Sequence, residues 1–169
     1  MSQTESTFCI QAAQVARIRG IAEESHPHEC CGILGGRLSN GRKEVVEVIP
    51  ALNGRSDSPR NRYLISPDFH RRTDADLKGR GLEILGFFHS HPDCPAIPSD
   101  FDRDHAWPWY SYAIVSVDKE ESREFLSWVL KDDRSGFDSE AVEIEERIHH
   151  RGDGERGGRK ERFEEAIQS

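Results

Sequence analysis

Residues 82–88 read Leu-Glu-Ile-Leu-Gly-Phe-Phe and run straight into His89-Ser90-His91-Pro92. So short an apolar run predicts a strand over 82–91, apolar through Phe88 and buried on both faces. A strand of that kind belongs at the centre of a sheet, covered above and below. The remaining chain must therefore supply neighbouring strands and covering helices. Its 169 residues suffice for one such core but not for two.

The sequence around this strand meets that demand. Val15, Ile18 and Ala22 recur at helical spacing, with Ala12 one turn earlier, and predict a helix over 11–25. Gly20 weakens it by about 1 kcal/mol relative to Ala. His26-Pro27 ends it, because the residue before a proline disfavours the α region. Strands over 31–38 and 44–49 flank Ser39-Asn40-Gly41, which reads as a hairpin turn. A Gly-, Ser-, Pro- and Arg-rich loop over 53–61 leads to a short strand over 63–65. A helix over 67–78 follows, with Pro67 in its first turn and Gly79 after its end. Three prolines make 92–98 an ordered loop or turn. Ser99 then caps a short helix with Asp100, Asp102 and Asp104 near its start. Strands over 112–117, 123–131 and 141–147 complete the set, with a turn at 132–136. After Ile148 the composition becomes that of a flexible tail, with a short charged helix around 160–167. The expected fold class is α/β, one sheet with helices packed on it. The expected domain is 1–147 and the expected tail 148–169.

The chemistry gathers at the end of the central strand. Side chains alternate along a strand, so His89 and His91 project from one face. Two imidazoles so placed form a bidentate mount for a metal at about 2.0–2.1 Å. A lone His-x-His is more often a surface pair. A catalytic zinc adds a third protein ligand and leaves a fourth position for water. Asp100, Asp102 and Asp104 all compete to be that third ligand. Hydrolysis also needs a base. Glu29 in Pro27-His28-Glu29-Cys30-Cys31-Gly32 is the candidate, with Glu23 and Glu24 as competitors on the first helix. Ser99 is first of all an N-cap, and it is also a candidate donor to a developing oxyanion.

Taken together, Glu29, His89-Ser90-His91-Pro92, Ser99 and Asp102 resemble the motif of the JAMM (MPN+) zinc metalloproteases. Residues 27–36, 86–92, 98–106 and 112–117 resemble that family's corresponding segments, and the likeness spans about residues 9–147. The resemblance implies that His89, His91 and Asp102 bind one zinc ion, with water in the fourth place. It implies that Glu29 takes the water's proton and passes it to the leaving amine, and that Ser99 steadies the tetrahedral intermediate. It also implies a curved mixed sheet between helices. Family members cut after the C-terminal glycine of ubiquitin or ubiquitin-like proteins. Short members resemble bacterial forms that act on small sulfur carriers ending in Gly-Gly. The alternative is a non-catalytic MPN-type interaction module, but such modules normally lack a ligand that is present here. His105 is expected to pack near the site. Cys94 lies in the loop between ligands, where three are already supplied. The second, structural zinc of larger deubiquitinases has no evident ligands in this chain.

Composition narrows the partners. Net charge is −8, which argues against nucleic acid, since phosphate binding needs a positive surface. Residues 99–147 hold 14 acidic and 6 basic side chains, whereas the segments before and after balance. That excess reads first as solvated turns and strand edges, and second as a surface that steers a basic carrier. No apolar run approaches the roughly 20 residues that cross a bilayer. Residues 1–7 lack the features of a signal peptide, so the expectation is a cytoplasmic protein without a membrane partner. Its four cysteines are expected to be reduced. Cys30 and Cys31, adjacent on a strand, would face opposite ways and suit neither a bridge nor a shared metal.

Overall fold

In chain order, the computed structural model of residues 6–52 and 64–147 comprises β1 (Thr7–Gln11), α1 (Ala12–Ser25), β2 (Cys31–Ser39), β3 (Arg42–Ala51), α2 (Pro67–Gly79), β4 (Glu83–Pro92), α3 (Asp100–His105), β5 (Ser111–Asp118), β6 (Glu121–Leu130) and β7 (Phe137–Glu145). The strands form one mixed, strongly curved sheet in the order β1-β3-β2-β4-β5-β6-β7. β1 pairs in parallel with β3 on one side and with β7 on the other, so the sheet curls back on itself.

β4 occupies the centre, antiparallel to β2 and parallel to β5, and every residue after Glu83 is buried. Its close approach to β5 depends on Gly86, where a Cβ would fall inside the Ser111 carbonyl oxygen. One face of the sheet packs with α1 through Val15, Ile18 and Ala22 against Phe8, Ile10, Leu85, Phe88 and Val115. The other packs with α2 through Leu77 against Ile33, Ile84, Phe87 and Tyr112. His89 and His91 follow Phe87 at the strand period and share its face. The Asn40-Gly41 turn between β2 and β3 has positive φ at both residues (50° and 74°), as a two-residue hairpin of right-handed twist requires.

The curl is fastened by a buried ion pair. Lys43 Nζ lies 3.8 Å from Glu140 Oε1, donates to Ser111 Oγ at 3.0 Å and also donates to the Trp109 carbonyl. Glu140 accepts from Ser127 and Ser6. These bonds tie β3, β5, β6 and β7 together.

Two expectations need correction. The strand expected over 63–65 is not formed at Leu64 and Ile65, which adopt no regular structure and lead directly into Ser66, the N-cap of α2. Residues 7–11 form β1, where no strand is expected and Gln11 is assigned to the first helix, because a five-residue strand with only parallel partners leaves no hairpin signal. The loop over 53–61, Tyr63 and the tail over 148–169 lie outside the described residues. No helix among the described residues is long and apolar enough to cross a membrane.

Candidate metal centre

The centre lies where the carboxyl end of β4 meets α3 and the chain entering β2. Cys31 of β2 pairs with His89, and the ladder continues through the Ser90 N–H to the Cys30 carbonyl at 3.1 Å. Ser90 Oγ also accepts from the Cys30 N–H at 2.8 Å. Extending this register two residues sets Glu29 opposite His91 on the same face. Glu29, His89, His91 and Asp102 are all buried.

Asp102 arrives from α3. Ser99 caps that helix. Its Oγ accepts from the Asp102 N–H at 3.2 Å and donates to Asp102 Oδ2 at 2.7 Å. The Ser99 N–H donates to the same oxygen at 2.6 Å. The capping geometry therefore aims the carboxylate inward. Asp100 and Asp104 point to solvent and pair with Arg103, so of the three carboxylates Asp102 is the one grouped with His89 and His91. Glu23 is likewise removed from contention, since it accepts from the Ser122 N–H across α1 and β6. Arg134 in the β6–β7 turn caps the other end of α3, donating to the Ala106 and Arg103 carbonyls at 3.0 and 3.2 Å.

Three potential ligand groups converge. His89 Nε2 and His91 Nε2 are 3.0 Å apart, and they lie 3.1 and 3.4 Å from the two Asp102 oxygens. Tetrahedral ligands at about 2.0–2.1 Å from zinc are about 3.3 Å from one another. The residues fit such an ion without rearrangement. The His91 tautomer suits it as well. Nδ1 lies 2.8 Å from the Pro95 carbonyl, which can only accept, so Nδ1 carries the hydrogen and Nε2 presents its lone pair.

The electrostatics point the same way. Burial pushes His89 toward the neutral form. Burial acts likewise on His91, but the bond to Asp102 and the Pro95 carbonyl outweigh it and leave His91 raised. Burial opposes ionisation of Asp102 too, yet the two histidines hold its carboxyl far below the usual carboxylate range. The result is an anion, Asp102, that favours positive charge where the two imidazole Nε2 atoms meet, the place a divalent cation would take when it displaces the His91 proton. Burial pushes the Glu29 carboxyl up to about 8, with His91 opposing and Asp102 adding to the shift.

Among the described residues, one other group of side chains could hold a cation: Cys9, Glu143 and Glu145. Arg42 already pairs with both carboxylates there, at 2.7 and 3.4 Å, and burial raises the Cys9 thiol. Both effects oppose a metal. All four cysteines are free, and Cys94 is exposed and outside the ligand cluster. His105 stacks on Phe101 with ring centroids 4.0 Å apart, and both line the groove beside Asp102. Beside Asp102 runs a groove of about 560 Å³, lined by Ile65, His70, Phe87, Phe101, Trp107 and Tyr110 among others.

Comparison with known proteins agrees with this geometry. Residues 11–131 match the model of prokaryotic homologs of the JAB domain. The chain belongs to this family. It is 34% identical over 93 residues to a desampylase of Haloferax volcanii, a match covering 54% of this chain and 65% of that protein. It is 36% identical over 102 residues to a probable TtuB-protein conjugate cleaving protease of Thermus thermophilus, covering 59% and 68%. The chain thus spans about two thirds of these relatives. A solution structure from Desulfitobacterium hafniense superposes with a TM-score of 0.74 at 29% identity, covering 86% of this chain and 97% of the other. The family's curved mixed sheet between helices is the fold observed.

The sequence pointed to all five residues assembled here. It did not point to Ser90 or Arg134, nor to the contacts that hold residues 93–98. Those contacts join segments about 30 to 60 residues apart and leave no local pattern.

Proposed function

We propose that the chain is a zinc-dependent hydrolase that cuts the peptide or isopeptide bond after the C-terminal glycine of a small ubiquitin-like protein of the sulfur-carrier kind. The observation that supports it above all is the convergence of His89, His91 and Asp102 beside the buried Glu29. The relatives named for desampylation and for cleaving TtuB conjugates favour the same substrate class.

Zinc held by His89, His91 and Asp102 would polarise the scissile carbonyl and acidify the attacking water. Glu29 is the base. Its ionised form accepts the water's proton, and its raised pKa makes it a stronger acceptor than an exposed carboxylate. The same proton then goes to the departing amine, so water and amide become acid and amine. Ser99 holds Asp102 in the ground state. As charge develops on the carbonyl oxygen, its hydroxyl turns to donate there, and Asp102 Oδ2 retains the Ser99 N–H. Such a donor is worth about 2.7–4 kcal/mol. The substrate's extended tail would lie in the aromatic groove beside Asp102.

The test is incubation with several conjugates of Gly-Gly-ending carriers, with chelator, without it, and with zinc restored, read by mass spectrometry. Cleavage after the glycine that chelator stops and zinc restores is the expected result. Carrier binding without cleavage under every condition would identify an interaction module instead.

A further inference from the structure

Residues 93–98 join two ligands, and a single peptide unit within them carries an unusual pair of bonds. The 95–96 peptide accepts from His91 Nδ1 at its carbonyl, at 2.8 Å. Its N–H, at Ala96, donates to Glu124 Oε2 at 3.2 Å. The next carbonyl, that of Ala96, accepts from Trp128 Nε1 at 2.9 Å. Ala96 itself is fully buried. Glu124 and Trp128 both stand on β6, whose neighbour β5 fixes Glu124 through a bond from the Glu124 N–H to Ser116 Oγ at 2.9 Å. Ser116 is in turn the register partner of His91.

We propose that Glu124 and Trp128 are positioning residues for His91, acting through the 95–96 peptide. This rests on the reading of His91 as a metal ligand. A carboxylate on the N–H of a peptide polarises the carbonyl at its other end, since hydrogen bonds in series strengthen one another. The strengthened carbonyl holds the His91 Nδ1–H, which fixes the ring's rotation and tautomer and makes Nε2 the better donor. Carboxylates commonly do this by direct contact with a ligand histidine. Here a backbone amide is interposed. Trp128 prevents the loop from turning that amide away.

The experiment measures Co²⁺ affinity by chelator competition, and the visible absorption of the Co²⁺-loaded protein, for wild type, Glu124→Ala, Glu124→Gln, Trp128→Phe and the control Glu121→Gln. Glu124 is exposed and Trp128→Phe keeps a ring in place, so both positions tolerate change. Loss of an outer partner typically costs about 10–100-fold in metal affinity. We expect about tenfold or more for Glu124→Ala and for Trp128→Phe, with altered spectra, and an intermediate loss for Glu124→Gln, which keeps an acceptor but not the charge. Glu121→Gln should match wild type. Unchanged affinity and spectra in both Glu124→Ala and Trp128→Phe would overturn the positioning role. Failure of wild type itself to bind Co²⁺ would overturn the metal site on which it rests.

Discussion

Replacing Glu29 by Gln should stabilise the metal-free protein, and the gain should grow with pH. Burial moves the Glu29 carboxyl from its ordinary 4.5 up to about 8. A carboxyl with a raised folded-state pKa binds protons more tightly folded than unfolded, so stability falls as pH rises between the two values. Each pKa unit is worth about 1.4 kcal/mol. The penalty is absent well below pH 4.5 and reaches its full size, about 5 kcal/mol, above pH 8. Between pH 5.5 and 8.5 it grows by about 3 kcal/mol. Gln has the shape of the protonated acid and never ionises. Asp102 and the histidines titrate in both proteins, so their own contributions largely cancel and the difference reports Glu29 together with its coupling to His91. Urea unfolding in chelator, at several pH values, measures it. Glu29→Gln should gain about 3 kcal/mol on wild type over that range, and zinc should reduce the gain by compensating the carboxylate's charge. A stability difference that stays constant with pH would refute the argument, because it would place Glu29 in water.

Other consequences can be measured separately. Ser99→Ala removes an N-cap and two bonds to Asp102, so thermal unfolding should show a loss of about 1 kcal/mol, with weaker metal retention on dialysis. Lys43→Met leaves Glu140 buried without its cation and should cost about 3–5 kcal/mol by denaturant unfolding, much of it recovered when Glu140 is also made apolar. If the acidic excess of residues 99–147 steers a basic carrier, kcat/KM should fall as salt is raised from about 0.05 to 0.5 M. A flat response would assign that charge to solvation alone. Arg42 already balances part of it, at Glu143 and Glu145.

What the sequence revealed and what it concealed divide along the range of the interactions. The central strand, the Asn40-Gly41 hairpin and the Ser99 cap are set by near neighbours, and all three stand where the pattern puts them. The candidate metal centre was legible because strand alternation brings His89 and His91 to one face and the cap binds Asp102 three residues on. The choice among Asp100, Asp102 and Asp104 required burial, which spacing does not encode. β1 was missed because its partners lie about 35 and 134 residues away. Leu64 and Ile65 have strand-like side chains, but they form the approach to α2 and line the groove beside Asp102. The hold of Glu124 and Trp128 on Ala96 depends on the sheet's curvature, which brings the middle of β6 over the loop between the ligands.

Crystals grown with zinc offer the most direct measurement, an anomalous difference map at the zinc absorption edge. One strong peak per chain should lie within bonding distance of His89 Nε2, His91 Nε2 and the Asp102 carboxylate. A map without that peak, or with zinc only at Cys9, Glu143 and Glu145, would contradict the assignment of the centre.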